Sequence, residues 1–140
     1  MSLEKIEKFF SEYGKALEQG LVSKVSEFSG KPLVIVTDET KMICHSQSEI
    51  ENINGDIIAK LKTGGVVKYT PKIIQSMRLS DSVIFVKVRW ALCDQNEKVV
   101  FNCYCSYTLQ IDEVDLFKIL IIVVDDEQKQ FSQLMKQHGV

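Results

Sequence analysis

The stretch from Val83 to Gln110 constrains this chain more than any other. Ile84, Val86, Val88, Trp90 and Leu92 fall at every second position, and so do Val99, Phe101, Cys103, Cys105 and Tyr107. A period of two places each set on one face of a strand. With Asp94 to Glu97 as the turn, the two strands form an antiparallel hairpin. Leu92 then sits opposite Val99, Trp90 opposite Phe101, Val88 opposite Cys103, Val86 opposite Cys105 and Ile84 opposite Tyr107. A slip of one residue would mix the apolar and polar sets, so the pattern specifies its register.

The other face of this hairpin carries Val83, Phe85, Lys87, Arg89 and Ala91 against Val100, Asn102, Tyr104, Ser106 and Thr108. It is mixed, but Phe85, Tyr104 and Val100 make it too apolar for open water. Such a face often meets another subunit, which predicts a homodimer through the outer side of the sheet. The last strand fits that expectation: from Leu116 to Val124 only Lys118 is polar, so both of its faces are expected to be covered.

The amino-terminal half has a different period. Leu3, Ile6, Phe10, Tyr13 and Leu17 recur at helical spacing over residues 3 to 19, with Ser2 as a cap and Gly20 as the stop. A short helical turn follows with Leu21, Val22, Val25 and Phe28, ended by Gly30 and Pro32. Leu33 to Thr37 is β-branched and predicts a strand. A polar turn, Asp38 to Thr40, leads to a second strand at Met42 to His45. Ser48 with Glu51 forms a capping-box pattern before a third helix with the stripe Ile50, Ile53, Ile57 and Leu61. Gly64 and Gly65 end it. Strands at Lys72 to Leu79, Val83 to Cys93, Val99 to Gln110 and Leu116 to Val124 are joined by short turns, which means antiparallel neighbours. The expected fold is α+β: three helices from the first half of the chain packed on the concave face of a curved antiparallel sheet. The expected organisation is one domain over residues 1–126 and a polar tail over 127–140.

Composition removes several function classes. The formal net charge of -2 provides no basic surface for nucleic acid. The N-terminus lacks a signal-peptide pattern, and the longest apolar run, Ile119 to Val124, is too short to span a bilayer. These features predict a cytoplasmic protein without membrane attachment. Its four cysteines, Cys44, Cys93, Cys103 and Cys105, are then expected to be reduced. Cys103 and Cys105 share a strand face and form no CxxC pair. A zinc site from Cys44, His45, Cys103 and Cys105 is a weaker reading than small buried hydrophobes, so no metal and no cofactor is expected.

The order of elements resembles the nuclear transport factor 2-like superfamily, which includes the SnoaL-like proteins and ketosteroid isomerase. Three local matches carry the resemblance. Tyr13 to Gly20 is similar to the family's first helix and its glycine stop, Phe28 precedes the first strand, and Phe117-Lys118-Ile119 is similar to the opening of the last strand. Leu21 departs from the family, which commonly has Asp after the glycine. The resemblance covers residues 3 to 124. It implies a cystatin-like cone with an internal apolar pocket, and it agrees with dimerisation through the outer sheet face.

On that basis the pocket would be lined by Phe10, Leu17, Val86, Val88, Trp90, Phe101, Cys103 and Cys105. The resemblance also implies candidate chemistry. Tyr13 matches the isomerase's helix tyrosine, and Tyr107 the position of its protonated acid, so the two form a candidate donor pair. The base position falls on Val36, which takes no proton. Asp38 lies two residues later, and His45 is the other candidate base. Simpler roles compete: packing for Tyr13, Tyr107 and Trp90, a turn for Asp38, and a surface position for His45. Three functions remain in this order: binding of a small apolar molecule; an isomerase, cyclase or dehydratase; and a protein-interaction or assembly domain.

Overall fold

The structure is a computed structural model that describes residues 3–114 and 116–125. The elements run α1 (Leu3–Glu18), α2 (Val22–Glu27), β1 (Ser29–Val36), β2 (Lys41–Cys44), α3 (Gln47–Thr63), β3 (Lys68–Arg78), β4 (Val83–Cys93), β5 (Val99–Ile111) and β6 (Phe117–Asp125). The expected α+β architecture holds: the described residues form three helices and a single curved six-stranded sheet, ordered β2-β1-β6-β5-β4-β3. One pairing is not antiparallel. β1 runs parallel to β6, and the intervening chain from β2 to β5 supplies the long crossover a parallel pair requires. The expected tail, 127–140, and the Ser2 cap lie outside the described residues.

Helix α1 stops where Gly20 adopts φ 66°. Leu21 N–H then bonds the Ala16 carbonyl and Gly20 N–H the Leu17 carbonyl, which satisfies carbonyls that the helix leaves open. The start of α3 differs from the expected capping box. Ser46, not Ser48, is the N-cap; its hydroxyl accepts from Glu49 N–H, and the Glu49 carboxylate accepts from His45 N–H. Both serines stand three residues before a glutamate, so the motif alone does not choose between them. Glu51 instead accepts a hydrogen bond from the Ser23 hydroxyl and ties α3 to α2. Along α3, Ile50 and Leu61 are buried. Ile53 and Ile58 pack at the edge of the core, while Ile57 is exposed.

Strand β3 begins at Lys68, four residues earlier than the sequence pattern predicted. Pro71 weakens the strand signal there, but β3 is an edge strand and tolerates a residue without an N–H. The β4–β5 hairpin keeps its predicted faces but not its predicted register. Trp90 pairs with Cys103, Val88 with Cys105, Val86 with Tyr107 and Ile84 with Leu109. Two one-residue shifts add up to the difference. The turn closes with Asp94 paired to Lys98 around Glu97 at φ 62°, and Val100 is an extra residue in a bulge between Val99 and Phe101. Val99 is consequently exposed rather than inward, and Leu109 takes its place in the core at 0% exposure.

The core lies between the helices and the inner face of the sheet. Ile6, Phe9, Phe10, Tyr13 and Ala16 of α1 meet Val86, Val88, Trp90 and Leu92 of β4 and Cys103, Cys105, Tyr107 and Leu109 of β5 in one cluster of buried side chains. Helix α1 approaches β3 and β4 closely at Gly14. A Cβ there would lie 3.1 Å from both the Trp90 ring and the Tyr69 carbonyl oxygen.

Candidate functional site

Helix α1 presents Phe10 and Tyr13 one turn apart, so both point at the sheet. Alternation on β4 and β5 delivers Trp90 and Tyr107 to the same place. The Phe10 ring centroid is 4.8 Å from Tyr107 and 6.4 Å from Trp90, and Tyr13 lies 6.0 Å from Trp90. Phe9, Phe28 and Phe117 continue the cluster edge to face. At its centre Trp90 Nε1 donates to the Tyr107 hydroxyl at 2.8 Å, and both residues are buried.

The surroundings of Tyr107 keep its hydroxyl neutral. Burial pushes the pKa of the Tyr107 hydroxyl well above that of a free tyrosine. Nearby Cys105, Tyr13 and Cys103 add to the rise, and the bond from Trp90 opposes it. Burial and the Glu49 carboxylate likewise raise the Cys44 thiol. Among the described residues, the buried polar side chains outside the core cluster are Ser26 and Ser29, neither of them a carboxylate or an imidazole.

The other sequence-derived candidates are elsewhere. Asp38 is exposed in the β1–β2 turn, where Thr37 and Thr40 bond each other. His45 is exposed beside the start of α3. The two titratable candidates therefore sit in water while the two hydroxyls sit in the core. Val36 faces the opposite side of the sheet, paired with Val123. Of the expected lining residues, Phe10, Val86, Val88, Trp90, Cys103 and Cys105 are buried; Leu17 and Phe101 are half-buried at the margin. Cys44 on β2 is separated from Cys103 and Cys105 on β5 by β1 and β6. No three His, Cys, Asp or Glu among the described residues are grouped to hold a metal. No described helix is long and apolar enough to cross a membrane.

The inner face is less complete toward β1. Ile35, Ile122 and Val124 point inward but stay half-buried, because α3 packs on α2 and β2 rather than over the middle of the sheet.

The outer face has an order that single strands do not reveal. Cross-strand partners line up in rows at right angles to the strands. Met77, Phe85, Thr108, Ile121, Val34 and Ile43 form a row across all six, apolar except for Thr108. Beside it run Gln75, Lys87, Ser106, Val123, Val36 and Lys41. A third row holds Lys72, Arg89, Tyr104 and Asp125. Met77 and Ile43 are 49% and 54% exposed. Lys87 Nζ lies 5.8 Å over the Tyr104 ring, a cation–π distance. Sequence reasoning found the β4 and β5 members of this face but missed the apolar continuation through Ile121, Val34 and Ile43. That continuation depends on the parallel β1–β6 pairing.

Comparisons with known proteins agree with this architecture. A family model described as NTF2-like protein (DUF6841) matches residues 4–127. No curated protein matches the sequence. Among solved structures, an NTF-2 like protein of unknown function from Shewanella oneidensis is 13% identical with a TM-score of 0.71, over 90% of this chain and 100% of that one. A domain from Xanthomonas campestris, provisionally named a calcium/calmodulin dependent protein kinase II association domain, is 15% identical with a TM-score of 0.62, over 89% and 87%. A ketosteroid isomerase-like protein from Erwinia carotovora is 12% identical with a TM-score of 0.61, over 86% and 92%. Identities this low show a shared fold and nothing finer. With the family model covering most of its length, the chain belongs to the NTF2-like family DUF6841.

Proposed function

We propose that this protein is an assembly domain that forms a homodimer through the outer face of its sheet. The apolar row from Met77 to Ile43 carries this reading. A soluble domain rarely leaves so continuous an apolar band facing water without a partner. The filling of the interior supports the same choice. Phe10, Tyr13, Trp90 and Tyr107 occupy the space beneath α1 where a catalytic cavity of this fold would open. The fold relative from Xanthomonas campestris is itself named for association.

Sedimentation equilibrium over a concentration series tests the proposal. The expected result is a monomer–dimer equilibrium that Ile121→Glu shifts toward monomer while leaving the circular dichroism unchanged. A wild-type protein that stays monomeric at the highest concentration reached would sink it.

A second reading has its own observation. The half-buried inward residues Ile35, Ile122 and Val124 form an apolar patch beside Tyr107 and Cys105, with no carboxylate or imidazole among the buried described side chains, which suits binding a small apolar molecule rather than turning one over. Trp90 is the protein's single tryptophan. Titration with a steroid or a fatty acid, followed by its fluorescence, tests this reading; a flat response argues against it. The isomerase-type reading has least support, because Asp38 and His45 are exposed while Tyr13 and Tyr107 are buried.

A further inference from the structure

The outer face carries charges as well as an apolar row, and their order is directional. In the row Lys72, Arg89, Tyr104, Asp125, the cations lie on β3 and β4 and the anion on β6. Arg89 and Asp125 are two strands apart, about 10 Å at ordinary strand spacing, too far to pair within one chain. Arg89 is also incompletely satisfied. Its Nε is shielded from water and has no hydrogen-bond partner among the described residues. Its own chain covers that Nε, so no second molecule reaches it, but Arg89 as a whole is only half-buried. A charge already short of hydration gains most from an acceptor at its other N–H groups.

We infer that a second copy of this chain supplies that acceptor: Arg89 of each copy pairs with Asp125 of the other around a twofold axis lying over β5 and parallel to the strands. The inference rests on the outer-face reading and deepens it by fixing the orientation. Such an axis reverses every row and sets β4 of one copy over β6 of the other. Arg89 then faces the second copy's Asp125, and Phe85 faces its Ile121. Met77 falls over Val34 of the second copy, and the Lys87 stem falls over Val123. Thr108 faces Thr108, and Ser106 faces Ser106. Apolar residues meet apolar ones along the main row, and opposite charges meet along the third. Turning the axis by a quarter turn stacks β4 on β4 and brings its cations, Lys87 and Arg89, toward their own copies. The charge order therefore selects one orientation of the dimer over another.

A charge swap with a crosslink tests this orientation, using the full chain. Each pair occurs twice in the dimer, so Asp125→Arg alone removes two attractive contacts. It is expected to weaken dimerisation at least about tenfold in sedimentation equilibrium. Arg89→Glu is expected to do the same, and combining the two restores most of the affinity. Thr108→Cys is expected to form a covalent dimer under mild oxidation, because the native Cys44, Cys93, Cys103 and Cys105 are all buried. Thr108→Cys does not depend on the charged variants folding. A wild-type dimer that Asp125→Arg leaves intact, or that Thr108→Cys fails to crosslink, overturns this orientation while the outer-face reading stands. A wild-type monomer at every concentration overturns both.

Discussion

The indole N–H of Trp90 donates to the Tyr107 hydroxyl at 2.8 Å, joining β4 to β5 inside the apolar layer. It is a polar bond with apolar surroundings: Phe10 lies against both partners and Tyr13 stands beside the indole. Tyr107→Phe keeps the ring and deletes the acceptor, leaving the indole donor unsatisfied. The expected loss is about 1–3 kcal/mol of stability, larger than removing an exposed hydroxyl would cause. Urea denaturation followed by Trp90 fluorescence measures it, and an unchanged midpoint would show that the bond contributes nothing net.

The same hydroxyl predicts an alkaline limit. Tyr107 is held protonated in the folded state, with its pKa raised chiefly by burial. The unfolded chain releases that proton near the ordinary tyrosine value of about 10. The stability contributed is therefore complete below that pH and is lost as pH rises through it toward the higher folded value. The urea midpoint of the wild type is expected to fall steeply in this range, and that of Tyr107→Phe less steeply. Parallel slopes for the two proteins would contradict this assignment.

Gly14 is expected to resist replacement. Alanine in mid-helix normally adds roughly 1 kcal/mol over glycine. Here its Cβ would lie 3.1 Å from the Tyr69 carbonyl oxygen and from the Trp90 ring. The carbonyl belongs to the β3 ladder, and the ring is pinned by Tyr107, so neither yields easily. Overpacking of this kind costs about 1–3 kcal/mol, which outweighs the helical gain. Gly14→Ala is thus expected to lower the thermal midpoint, and a rise would show that α1 can lift from the sheet without penalty.

The start of α3 offers a paired comparison. Ser46→Ala removes the hydroxyl that accepts from Glu49 N–H, at an expected cost of about 1 kcal/mol. Ser48→Ala removes an exposed hydroxyl within the first turn and is expected to be neutral or slightly stabilising. Equal losses at the two positions would place the cap elsewhere.

Particular residues show where the sequence was informative. The inner set of β4 and β5 was legible because its alternation is strict, and it led directly to Trp90 and Tyr107. The register was not, because Glu97 adopts a left-handed conformation without being glycine and nothing marks Val100 as a bulge. The Ser46 and Ser48 motifs compete on equal terms until Ser23 engages Glu51. Tyr13 and Tyr107 were paired through the family resemblance, and their rings lie 6.4 Å apart. Asp38 was reached from the resemblance and His45 as the only histidine outside the tail, and the chain leaves both in water. The outer apolar row needed Ile121 beside Val34, a pairing between residues far apart in sequence that no local pattern encodes.

The hairpin at Glu97 and Val100 has a consequence of parity. The turn and the bulge each displace β5 by one residue, and two odd displacements make an even one. Beyond the bulge each β5 side chain is therefore on the side that strict alternation assigns, while Val99 is turned over. Deleting Val100 would remove the residue that has no partner and bring Phe101 directly after Val99, still opposite Leu92. Tyr107 would stay opposite Val86, inside the sheet. One residue inserted between Phe101 and Tyr107 has no such slack and would carry Tyr107 to the outside. Changes of length are thus expected to be tolerated at Val100 and not further along β5.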